Sequence, residues 1–136
     1  MKNILIAVLL VFSVSLFAQT GQNSTFVKIT QKKCLKNKGT KLILKEVLSD
    51  SRCPEGVSCI WAGEAKVVVS VYEGKKFIKD EELVISGKNH QINKEWFIKY
   101  LSPSQKNITS INVVPYPKEG VKINPTAYYI KIGYIK

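Results

Sequence analysis

Residues 64–72, reading Glu-Ala-Lys-Val-Val-Val-Ser-Val-Tyr, narrow the choice of fold more than any other stretch. Ala65, Val67, Val69 and Val71 point one way along an extended chain, and Lys66, Val68, Ser70 and Tyr72 the other. Branched side chains at four of these positions pack well on a pleated surface and lose rotamer freedom in a helix. The period of two therefore reads as a strand with one face in a core. Glu73-Gly74 supplies a tight turn into Lys75–Lys79, so the two segments predict a hairpin.

The rest of the chain repeats this pattern in shorter pieces. Phe26–Thr30 puts Val27 and Ile29 on one face. Over residues 41–48, Leu42, Leu44 and Leu48 share a face that Glu46 interrupts, with Ile43 and Val47 opposite. Leu83-Val84-Ile85 is a short strand behind the acidic run Asp80-Glu81-Glu82. Residues 94–101 fit two templates. Trp96, Phe97, Tyr100 and Leu101 have helical spacing, while Trp96, Ile98 and Tyr100 alternate as in a strand. Among so many strands, the expectation is a strand. Asn107–Val114 and Thr126–Ile135 complete the set, the latter with Tyr128, Ile130, Ile132 and Tyr134 on one face. Seven or eight short strands with turn signals between them predict an all-β domain. An antiparallel β-sandwich is expected, with a partly open β-barrel as the alternative.

One loop is specified residue by residue. Asp50 to Gly63 carries Cys53 and Cys59, the single arginine Arg52, and Trp61, one of two tryptophans. Pro54 fixes φ after the first cysteine, and Gly56 is free to take positive φ, so the chain can double back and bring the sulfurs together. Closing so small a ring stabilises by about 2 kcal/mol through the unfolded state. Trp61 is expected to lie against the disulfide or cap one end of the core. Ala62-Gly63 leave room for a close backbone approach. Asp50 is placed to orient Arg52, and Asp50, Arg52 and Trp61 form the candidate binding set. Cys34 is left over as a free thiol, expected to be partly buried on a strand edge.

The opening residues settle the expected compartment. Met1-Lys2-Asn3 precedes the apolar run Ile4–Phe12, which continues to Ala18 and turns polar at Gln19. This reads as a signal peptide over residues 1–18, with a single β domain over 19–136. The mature chain then has no transmembrane segment and reaches an exported location: periplasm, cell surface or medium. Such a destination permits the Cys53–Cys59 bridge.

Charge and composition limit the chemistry. The formal charge is +11, yet only one of 21 basic residues is an arginine. Phosphate and base readout favour the guanidinium fork, so nucleic acid is not expected as a partner. An unknown protein or an anionic envelope component is. No cofactor and no metal are expected. The cysteine spacing is wrong for zinc, with only Cys34 and His90 to complete a set, and Asp80-Glu81-Glu82 lacks calcium-loop spacing. No catalytic residue is assigned, because the single histidine, His90, has no convergent acid–base partners and carboxylates such as Glu46, Glu55 and Glu64 occur on any β protein.

Asp50-Ser51-Arg52-Cys53-Pro54, then Cys59-Ile60-Trp61-Ala62-Gly63, and later Pro115-Tyr116-Pro117 before a terminal aromatic strand, carry a resemblance. From about residue 40 onward the chain resembles small uncharacterised secreted or lipoprotein-like bacterial proteins with a C-P-x4-C-x-W-A-G loop. The resemblance implies an exported or envelope β protein and no activity. This chain departs from it in the extra Cys34 and in lacking a lipid-attachment cysteine. The expected function is a non-enzymatic domain that binds through the stapled 50–63 loop. A protease-inhibitor-like protein presenting that loop and a small secreted hydrolase are the alternatives.

Overall fold

The computed structural model describes residues 25–136. The signal peptide expected over 1–18 and the polar leader after it lie outside the described residues. Strands β1 (Thr25–Ile29), β2 (Thr40–Asp50), β3 (Ala65–Glu73), β4 (Lys76–Ile85), β5 (Ile108–Val114) and β6 (Tyr129–Tyr134) form two antiparallel sheets. Their orders are β1-β6-β5 and β2-β3-β4. Neither sheet closes on itself, and the arrangement is sandwich-like.

The alternating run places β3 at the centre of its sheet. Ala65, Val67 and Val69 have no exposed surface. They meet Ile130, Ile132, Ile111 and Val113 of the other sheet in a single apolar cluster. The β3–β4 hairpin forms as its turn chemistry predicts, with Glu73 paired to Lys76 and Gly74 at φ +60°.

Six strands replace the expected seven or eight for two reasons. The segments expected at 75–79 and 83–85 are one strand, β4. The acidic run sits inside it, on an edge strand where charged side chains reach water. Asp80 accepts hydrogen bonds from Ser70 at 2.6 Å and Lys45 at 2.7 Å. Second, residues expected as a strand at 94–101 begin as helix α1 (His90–Ile98). Its buried residues, Asn93, Trp96 and Phe97, follow helical spacing. A strand showing Trp96, Ile98 and Tyr100 inward would have turned Phe97 out, whereas Phe97 is fully buried. Helix α1 contacts β4 and β5, one edge strand from each sheet. Asn93 Nδ2 donates to the Val84 carbonyl at 2.8 Å.

Strand β2 also corrects its expected pattern. Leu42 and Leu44 pair with Val71 and Val69 and face the core as expected. Bulges between Leu44 and Glu46 and between Val47 and Ser49 then shift the faces. Each extra residue reverses the alternation that follows it. Val47 therefore turns inward opposite Val67, and Leu48, expected inside, is 49% exposed.

Candidate functional site

The 50–63 loop continues the β2–β3 hairpin beyond its sheet. The Ser51 N–H donates to the Glu64 carbonyl at 2.9 Å and the Cys53 N–H to the Ala62 carbonyl at 2.9 Å. These bonds draw the two arms together. Gly63 is required where they cross: its φ is +72°, and a Cβ there would strike the Ser51 carbonyl oxygen. This is the close approach that Ala62-Gly63 anticipates. Beyond it, Cys53 and Cys59 are joined with Cα atoms 5.9 Å apart, an ordinary separation for a disulfide. Inside the ring the Val57 N–H donates to the Pro54 carbonyl at 3.2 Å, and Gly56 has φ +90°. The Glu55 N–H donates to the Pro117 carbonyl at 2.9 Å, which ties the tip to the segment after β5.

The base of the loop holds a buried ion pair. Arg52 Nε and Nη2 donate to the two oxygens of Asp50 at 2.7 and 2.6 Å. The side chains are 8% and 9% exposed. Two further guanidinium donors go to the Val113 and Pro115 carbonyls, and Tyr116 lies under the guanidinium at 4.7 Å. Tyr128 donates its hydroxyl to Asp50 at 3.1 Å. One arginine therefore links the end of β2 to β5 in the opposite sheet. Burial pushes the Asp50 carboxyl up, but the hydrogen bonds and charge of Arg52, with help from Tyr128, outweigh it and hold the group below the usual carboxylate range. Burial and the Asp50 charge push the Tyr128 phenol up.

The three candidate binding residues thus separate into two kinds. Asp50 and Arg52 face inward and position the loop. Trp61 faces outward: it is 77% exposed, so of the two expected placements, against the disulfide or capping the core, the second does not occur. Its neighbour Ile60, which sequence reasoning did not single out, is fully exposed, and Val57 is 39% exposed. The signal for Ile60 was only its place between Cys59 and Trp61. Tyr128 and the Val113 and Pro115 carbonyls had no local signal. Beside Trp61 a cleft of about 390 Å³ opens between the returning arm, at Gly63 and Glu64, and the turn at Ser86–Lys88.

Of the other flagged residues, Glu55 is at the loop's tip and His90 lines a cleft with Arg52, Ala62 and Gly63, while Cys34 and Glu46 lie elsewhere. Cys34 is an exposed free thiol in the β1–β2 connection, not partly buried on a strand. His90 opens α1. Glu46 lies on the outer face of β2, opposite Val68, and Glu55 forms a surface pair with Lys118 at 3.6 Å. No family model, curated protein or solved structure matches this chain.

Proposed function

We propose that this chain is an exported, non-enzymatic β domain that binds a protein partner through Val57, Ile60 and Trp61 of the stapled loop. The exposure of Ile60 and Trp61 on a backbone pinned from both sides carries this reading. Large apolar side chains held in water lose about 1.5–3 kcal/mol each relative to a buried site. A partner pocket recovers that energy. The disulfide, Gly63 and the Asp50–Arg52 pair have already removed the loop's freedom, so little ordering entropy remains to oppose association. Tryptophan is also a residue type enriched at the energetic centres of interfaces. The bridge fits an oxidising compartment, and the signal-like start and the loop signature favour placing the chain with exported or envelope β proteins.

The test compares wild type with I60S/W61A in chemical cross-linking on the intact envelope, alongside inhibition assays on a protease panel. The expected result is a discrete cross-linked species with wild type that is absent with the variant, while both melt at the same temperature. Slow, tight inhibition of one protease, lost in the variant, identifies the partner as that protease. A cross-linking pattern and inhibition profile indifferent to both substitutions overturns the proposal.

A further inference from the structure

A second surface, separate from the loop, carries an unbalanced charge. In the β1-β6-β5 sheet, Lys28 and Lys131 are directly opposed across an antiparallel pair. Like charges in that position repel and destabilise the sheet. None of the three strands contains Asp or Glu. Neither lysine joins an ion pair among the described residues. Residues 1–24 also contain no Asp or Glu. The other sheet, by contrast, carries Glu46, Asp50, Glu73, Asp80, Glu81 and Glu82.

Aromatic rings hold the two ammonium groups on this face. Lys28 Nζ lies 5.1 Å from the Tyr129 ring centre and 5.6 Å from that of Phe26. Lys131 Nζ lies 4.6 Å from the Phe26 ring centre. Such contacts offset part of the repulsion and fix the cations without neutralising them. Phe26 is 50% exposed. Asn112 opposes Lys131 from β5, and Ser110 opposes Gly133, which itself opposes Phe26. The face therefore presents two cations, an exposed ring, an amide and a hydroxyl, with the Ser110 side chain lying over Gly133.

We propose that this outer face binds an anionic polysaccharide. Its carboxylate or sulfate groups would sit between Lys28 and Lys131. A sugar ring offers a C–H face to Phe26 and hydroxyls to Asn112 and Ser110. Nucleic acid fits less well, because the face has no arginine fork to grip phosphates or base edges. A membrane surface fits less well because the strands offer no continuous apolar band to insert.

The experiment measures binding of the purified protein to chondroitin sulfate and polygalacturonate at fixed ionic strength. Neutral dextran, a single-stranded DNA oligonucleotide and phosphatidylglycerol vesicles serve as comparators. K28Q/K131Q is expected to weaken polysaccharide binding by about tenfold, the size of effect that removing two modest charge interactions at once produces. Its melting temperature should stay the same or rise, since repulsion is removed. K75Q/K76Q takes the same charge from the exposed β3–β4 turn and should change binding by no more than about twofold. F26S should weaken binding with no change in net charge. Equal weakening in the two charge variants, equal binding of neutral dextran, tighter binding to DNA or vesicles, or no polysaccharide binding would each overturn the proposal.

Discussion

Arg52 and Asp50 show how one residue pair can hold a loop and two sheets at once. A carboxylate removed from water is stable only if its charge is matched and its oxygens are hydrogen bonded. Asp50 meets both conditions through the Arg52 fork and the Tyr128 hydroxyl. A depressed folded-state pKa has a definite consequence for stability. The group contributes fully above the unfolded carboxylate value, about pH 4, and the contribution is lost as pH falls through the lower folded value. Asp50→Asn should therefore be less stable than wild type by about 2 kcal/mol at neutral pH. That difference should stay flat down to about pH 5 and shrink towards zero in more acid solution. Urea titrations of both proteins across this range check it. A difference that grows on acidification would contradict the assignment of Arg52 as the controlling partner.

Among the elements, helix α1 joins the open side of the sandwich, where edge strands β4 and β5 would otherwise expose apolar side chains. Phe97 is its deepest residue, and Trp96 packs edge-on against it with ring centres 5.0 Å apart. Removing the Phe97 ring leaves a cavity between helix and sheets. Phe97→Ala should cost about 4 kcal/mol, read as a lower urea midpoint at unchanged slope. A cost below about 1 kcal/mol would mean that the helix is not seated on the core as described. The strand reading of this segment failed for a physical reason. Over eight residues with aromatics at several positions, both periods place apolar groups on one side. What decides is whether the neighbouring strands leave a groove for a helix or an edge for a strand.

The described residues form two small sheets with one shared core, and each sheet has only the minimum of three strands that independent stability needs. Their coupling runs through the apolar cluster, through α1, and through the Arg52 donors that reach β5. Unfolding should accordingly be a single transition. In the oxidised protein with Trp61→Phe, far-UV dichroism, near-UV dichroism and Trp96 fluorescence should give coincident urea curves. Separate midpoints would show that the sheets open independently.

The parts of this protein that could be read from sequence depend on near neighbours. The period of two from 64 to 72, the Glu73-Gly74 turn, the Cys53–Cys59 ring and the tight passage at Gly63 are each set within a few residues. The Asp50–Arg52 contact is legible for the same reason, at a spacing of two. The rest depends on strand register. Which way Leu48 points follows from bulges against β3. The Arg52 partners lie 61 and 63 residues away, and Tyr128 lies 78 residues from Asp50. The opposed lysines of β1 and β6 are brought together from opposite ends of the described chain. No local pattern encodes such pairings, because they exist only once two sheets have packed and each strand has settled opposite its neighbour.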